Sequence, residues 1–248
     1  MRFIYAEIFE RHCYEQHGIA LPSGATVIDV GANIGLFALR VKQLDPAARL
    51  YCFEPVPPTY ACLVQNLERQ AGVATFNVAL AERSGSVAIT YYERSPGNST
   101  MYPESKPAEA SSFARHAPLA WLWSFDKLST AALALLYPVR RPLLHVAFQR
   151  LFRKVERFEC PAMTLDQLVE TQSLSTVDLL KIDVEGAERG VLAGLSDQNL
   201  LRVRQLIVEV SPAHKSWLPA LTERLRANGF TYIALESMVP SSDPVTDA

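Results

Sequence analysis

Short apolar runs alternate with amphipathic stretches along most of the chain. Thr26 to Val30 is apolar except for Asp29, the pattern of a parallel strand covered on both faces. It runs into Gly31-Ala32-Asn33-Ile34-Gly35, where glycine lets the backbone turn sharply and approach a neighbour closely. Leu36, Phe37, Leu39 and Val41 then mark a helix that ends near Asp45-Pro46, because proline disfavours helix in the residue before it. Arg49 to Phe53 reads as a second strand ending at Glu54-Pro55, and Pro57-Pro58 suit the first turn of a helix running to about Gln70. Thr75 to Leu80 reads as a third strand, and Ala88 to Tyr92 as a short extended piece after a turn at Glu82 to Gly85. Before all of these, residues 3–17 have helical spacing, with Ile4, Ile8 and Phe9 on one face.

The alternation breaks between Arg94 and Cys160. A polar loop, Pro96 to Thr100, is followed by two expected helices, about 111–136 and 140–157. The second carries Leu144, Phe148, Leu151 and Val155 along a stripe, with Arg140, Arg141, Arg150, Arg153, Lys154 and Arg157 around it. The pattern resumes with a short helix opened by Thr164 as N-cap. A strand at Val177 to Ile182 ending at Asp183, a helix at about 187–193 and a strand at Gln205 to Val210 come next. A helix over Leu218 to Asn228 with Gly229 as its stop and a last strand at Phe230 to Leu235 close the series. Repeated strand–helix units predict an α/β fold, a mostly parallel twisted sheet with helices on both faces. The expected organisation is one domain, 1–248, with an N-terminal helical cover over 1–23 and a helical insertion, or lid, over 103–160.

Composition narrows the function classes. With 24 Lys and Arg against 26 Asp and Glu, the net charge is −2, which argues against a general nucleic-acid binder. The four cysteines show no C-x-x-C spacing, so free thiols and a cytoplasmic location are expected in place of a disulfide frame or zinc site. The longest apolar span, Ala117 to Val139, is interrupted by Asp126 and Lys127, whereas a membrane-crossing helix wants about 20 consecutive apolar residues.

The chemistry concentrates at the expected strand ends. A dinucleotide turn wants G-x-G-x-x-G; here only Gly31 and Gly35 are present, and Ala38 stands where the third glycine would be sought. Asp29 would repel a pyrophosphate but suits S-adenosylmethionine (SAM), which carries an ammonium and a sulfonium and no phosphate. Glu54 follows Gly35 at about the spacing at which an acid meets a ribose diol. In an open α/β sheet the ligand crevice lies beyond the carboxyl ends of the strands, where Asp183 and Glu209 also fall. The pair could hold Mg²⁺ or orient substrate. Asp183, Glu209 and His214 are the candidate catalytic groups, His116 and His145 weaker ones. An NAD-type oxidoreductase and a non-catalytic docking or membrane-surface module, the latter motivated by the basic 140–157 stretch, are the alternatives.

Val27 to Gly35, Phe53-Glu54-Pro55, Thr164-Leu165-Asp166 and Asp178 to Glu188 together resemble the FkbM-type SAM-dependent methyltransferases. Phe9-Glu10, His17-Gly18-Ile19, Glu54 to Pro58 and Gly97 to Met101 are similar to the branch found in or beside polyketide and nonribosomal peptide synthases. The resemblance implies a Rossmann-like class I fold and O-methylation of a small-molecule or acyl-carrier-protein-tethered natural product. SAM would be held by Asp29, Gly31, Asn33, Gly35 and Glu54, with Asn77 and Ala79 near the adenine. Asn98 and Ser99 would belong to a loop near cofactor or substrate. Two departures stand out. The branch has His-Asp directly after Val-Glu-Val, where this chain has Ser211-Pro212 and His214 later, and the family finishes with a further strand for which residues 237–248 offer no pattern.

Overall fold

The computed structural model describes residues 2–93, 95, 97, 99–104 and 155–236. Five parallel strands form the main sheet in the order β3-β2-β1-β7-β8. They are β1 (Thr26–Val30), β2 (Arg49–Phe53), β3 (Val73–Phe76), β7 (Leu179–Ile182) and β8 (Leu206–Val208). Every residue of β1 and β7 is buried, as their apolar runs predict. Alternate side chains point to opposite faces, and the two faces have separate cores. Ile28, Val30, Leu180 and Ile182 pack with Leu165, Leu168, Val191 and Leu221. Val27, Leu50, Cys52 and Leu179 pack with Phe37, Val41, Leu63 and Leu67.

The covering helices are α2 (Leu36–Leu44) and α3 (Pro57–Leu67) on one side, and α4 (Leu165–Thr171), α5 (Glu188–Ala193) and α7 (Leu218–Ala227) on the other. A short helix, α6 (Asp197–Leu200), lies between α5 and β8, and its N-cap Ser196 accepts from Asn199 N–H. Thr164 caps α4 as expected, in a full capping box with Gln167. No described helix is long and apolar enough to cross a membrane.

Five expectations need correction. Thr75 to Leu80 is two strands: β3 stays in the main sheet, while β4 (Ala79–Leu80) joins a second sheet of order β4-β6-β5. The break falls at Asn77, whose side-chain amide donates back to the Glu54 and Pro55 carbonyls at 2.9 Å each and draws the chain out of the first sheet. The extended piece at 88–92 is the end of an eight-residue strand, β5 (Gly85–Tyr92), antiparallel to β6 (Val155–Met163). Residues 155–157 therefore belong to a strand, with Val155 opposite Tyr92 and Arg157 opposite Thr90. β-branched and aromatic residues on β5 favour this ladder over a helical end to the insertion. The rest of the expected insertion, from 105 to 154 with both its helices and His116 and His145, lies outside the described residues.

At the N-terminus, the expected helix over 3–17 is broken. Helix α1 (Arg2–Tyr5) passes into a π-turn at Ala6–Glu10, and a 3₁₀ turn follows at Cys13–Glu15 after His12 at φ 53°. Arg40 on α2 fastens this segment, donating to both Glu15 carboxylate oxygens at 2.7 and 2.9 Å. Phe230 to Leu235 forms no strand. Only Phe230 and Ile233 reach the core, while Tyr232 and Leu235 are exposed.

One feature of the sheet interior aligns the site. Asp29 on β1 and Lys181 on β7 are register partners, both fully enclosed, and Lys181 Nζ lies 3.1 Å from Asp29 Oδ1. The same ammonium is 3.4 Å from Asp183 Oδ2 and sits 5.5 Å from the ring centres of both Tyr14 and Phe37. Removing one member of a buried pair strands the other charge and costs about 3–5 kcal/mol. Lys181→Met should therefore lower the unfolding free energy by roughly that amount in denaturant titration, whereas Asp29→Asn with Lys181→Met should recover most of it. Equal losses in the single and double variants would show that packing, not charge, explains the effect.

Candidate active site

The turn after β1 is built by left-handed backbone at Gly31 (φ 79°), Asn33 (φ 51°) and Gly35 (φ 88°). Gly31 has a second reason to lack a side chain: a Cβ there would stand 1.8 Å from the Asp183 carbonyl oxygen. A Cβ at Gly35 would stand 2.9 Å from Leu63 Cδ1. Gly31 and Ala32 N–H donate to the Phe53 carbonyl at 3.0 and 2.9 Å, tying the turn to the end of β2. Glu54 follows and is held in turn: Asn33 N–H donates to its Oε2 at 3.1 Å and Val56 N–H to its Oε1 at 2.9 Å. Each carboxylate oxygen keeps a further lone pair for a ligand hydroxyl. Burial pushes the Glu54 carboxyl up to about 7, against the pull of those two backbone N–H groups.

A cleft runs between this turn and the turn after β7. Gly31, Asn33, Glu54, Ala79, Ser99 and Asp183 are among its lining residues, so the structure brings together these expected cofactor and catalytic positions. Asn33 Oδ1 is buried with no hydrogen-bond partner among the described residues. A buried acceptor in a cleft wall fits a ligand that carries donors. Asn77, expected near the adenine, has its amide nitrogen engaged with the Glu54 and Pro55 carbonyls, next to the cleft-lining Val78 and Ala79. Asn98 lies outside the described residues. Asp29 is at the sheet interior, paired with Lys181 and fully buried, so it orders the strand ends without facing the cleft.

The far side of the cleft is rich in carboxyl groups. Asp183 is partly exposed, at 28% of its side-chain area. Glu209, at the end of β8, has its carboxyl raised to about 8, first by Asp183 and then by burial, with Glu185 and Glu7 adding to the effect. Its backbone N–H donates to the Ile182 carbonyl, which sets the end of β8 beside Asp183. Burial likewise raises Glu7, on the N-terminal cover, to about 7. Lys181 is drawn down by burial, but Asp29 and Asp183 outweigh this and hold its ammonium well above the ordinary lysine value. Such a crevice attracts cations and can take up a proton near neutrality. Among the described residues no group of three His, Cys, Asp or Glu is arranged to hold a metal ion, so the Mg²⁺ expected at Asp183 and Glu209 lacks a third such ligand there.

His214 lies on the 3₁₀ turn Pro212–Trp217 and is brought to the same place. Its Cε1 is 3.7 Å from where a Gly186 Cβ would stand, and its ring meets Tyr102 edge-on at 6.1 Å. Its Nδ1 is buried and unpartnered among the described residues. Sequence reasoning missed four contributors: Lys181, Tyr14, Glu7 and Glu188, whose Oε1 accepts from Gly186 N–H at 2.8 Å. A lysine inside Leu179-Leu180-Lys181-Ile182 was a readable signal, because an unpaired charge does not belong in a buried strand. The other three depend on contacts that spacing cannot show.

Residues 29–232 match the model of the methyltransferase FkbM domain family. The chain is 37% identical over 233 residues to the AMB antimetabolite synthetase AmbE of Pseudomonas aeruginosa, covering 92% of this chain and 10% of that protein. It is 34% identical over 219 residues to methyltransferase sdnD of Sordaria araneosa, covering 84% of this chain and 74% of that one. It is 30% identical over 234 residues to the 31-O-demethyl-FK506 methyltransferase FkbM of Streptomyces tacrolimicus, covering 94% and 83%. The chain thus spans a small part of the first relative and most of the other two. Methyltransferases of this kind in general draw the methyl group from SAM. The glycine turn, the Glu54 carboxylate and the acidic strand ends match that chemistry, and the chain belongs to the FkbM methyltransferase family.

Proposed function

We propose that this protein is a SAM-dependent O-methyltransferase acting on a hydroxyl of a polyketide- or peptide-type natural product. The observation that carries the reading is the cleft's division into two chemistries. One wall offers Glu54, fixed by two backbone N–H donors and free to accept from a ribose diol. The other offers the Asp183 carboxyl group, with Glu209 near enough to feel its charge. SAM, when bound, supplies an electrophilic methyl group on a sulfonium. Gly31 and Asn33 shape its seat, and Glu54 takes the ribose hydroxyls. Asp183 lies at the junction of the two walls. It is the group we assign to accept the acceptor hydroxyl's proton as oxygen attacks, with Glu209 and His214 beside it. In-line displacement draws much of its acceleration from alignment, which these fixed turns provide.

The O-acceptor reading draws support from the FkbM relative, whose name specifies a 31-O-demethyl substrate. The carrier-tethered alternative draws on the likeness to a segment of the AmbE synthetase. Mass spectrometry after incubation with SAM and candidate acceptors, free and carrier-bound, should show addition of one methyl group. Asp183→Asn should slow that turnover about 100-fold, the scale of a lost general base. Undiminished turnover would remove Asp183 from the chemistry. Loss of turnover in EDTA, restored by Mg²⁺, would assign a metal to Asp183 and Glu209.

Glu54 yields a pH prediction. Its folded carboxyl is raised from 4.5 to about 7, so the unfolded chain releases this proton first. Glu54 therefore withdraws stability as pH rises from 4.5 to about 7 and adds no further change above. Ribose hydroxyls donate to its charged form, so SAM affinity should rise with pH through about 7 and then level off. Calorimetric titrations across that range should show the rise in the wild type and a smaller one in Glu54→Gln, where Glu209 and Glu7 still titrate. The same slope in both would assign the titration elsewhere.

A further inference from the structure

The turn after β7 holds an unfavourable backbone. Glu185 has φ 53° and Gly186 φ 106°, and a glutamate resists the left-handed region. Three contacts hold this turn. At its start, the Asp183 carbonyl packs against Gly31 so closely that no Cβ would fit. At its end, Gly186 N–H donates to Glu188. In the middle, the Thr100 hydroxyl donates to the Glu185 carbonyl at 2.6 Å and accepts from Tyr102 N–H at 3.0 Å.

Thr100 is itself fixed. It is 1% exposed, and its backbone exchanges two hydrogen bonds with Thr90 on β5, at 2.9 and 3.0 Å. Thr100 thus ties the second sheet to this turn through its side-chain hydroxyl. Thr100, Met101, Val184 and Glu185 all line the cleft.

We propose that Thr100 is a positioning residue: it braces the Asp183–Gly186 turn against the second sheet and so sets the width of the cofactor cleft. The brace rests on the reading of that cleft as the SAM site. Valine has nearly the shape of threonine and lacks the hydroxyl, so Thr100→Val removes the hydrogen bond to the Glu185 carbonyl while filling the same space. Serine keeps the hydroxyl.

Calorimetry with S-adenosylhomocysteine as the probe, joined to amide hydrogen exchange, tests the brace. Thr100→Val should bind about tenfold more weakly than the wild type. Its amides at 184–188 should exchange faster while those of β1 and β7 are unchanged. Thr100→Ser should restore both affinity and protection. Thr100→Ala carries the same expectation as Thr100→Val and serves if the valine variant loses its fold. Wild-type affinity in the valine or alanine variant, or a fall in melting temperature with no change in affinity, would overturn the brace. A wild type that fails to bind the probe would overturn the cofactor reading and the brace with it.

Discussion

A lysine ammonium enclosed in the middle of a parallel sheet is the constraint on which the site depends. Lys181 has no water to solvate it, and burying such a charge without partners is prohibitive. It is tolerable only if β1 and β7 lie in the register that sets Asp29 beside it and Asp183 just above. That register also places the Gly31 backbone against the Asp183 carbonyl. The alignment of the two turns that face the cleft thus follows from satisfying one buried charge. Tyr14 and Phe37 close over the ammonium, which gives the N-terminal segment a role in completing the sheet interior.

From this alignment the cleft acquires two unlike halves. The Glu54 half is neutral in design: backbone donors fix the carboxylate, and a sugar diol can complete it. The Asp183 half is a field of carboxyl groups, with Glu209 and Glu7 both held above the ordinary glutamate range. The first recognises shape and hydroxyl geometry, while the second attracts positive charge and can accept a proton. Methyl transfer from a sulfonium to a hydroxyl needs both.

Much of this was legible in the sequence, and the reasons differ residue by residue. β1, its glycine turn and Glu54 form a local run whose hydrophobic pattern and spacing are nearly sufficient, and the same is true of the strand ending at Asp183. Asp29 reads as an acid suited to SAM, whereas the structure encloses it beside Lys181. Its partner Lys181 comes from a strand 152 positions later, and only the strand order reveals the pairing. The resemblance sets Asn77 near the adenine, while its part in drawing the chain out of the main sheet rests on hydrogen bonds to residues 23 and 22 positions earlier. The end of the basic stretch was taken for helix because charges and apolar residues can be placed on a helical wheel, while the partner that selects a strand, β5, lies far back in the chain. Thr100 reads only as one member of the Gly97 to Met101 segment, since its bracing contact is a long-range hydrogen bond that spacing does not show.

The central claim is that the cleft between the glycine turn and Asp183 binds SAM through Glu54. Isothermal titration of SAM into the wild type and Glu54→Ala tests it most directly. The account predicts saturable one-site binding by the wild type and a loss of about 100-fold or more in the variant, the scale of two charge-assisted hydrogen bonds. Equal affinity in the two proteins would contradict it.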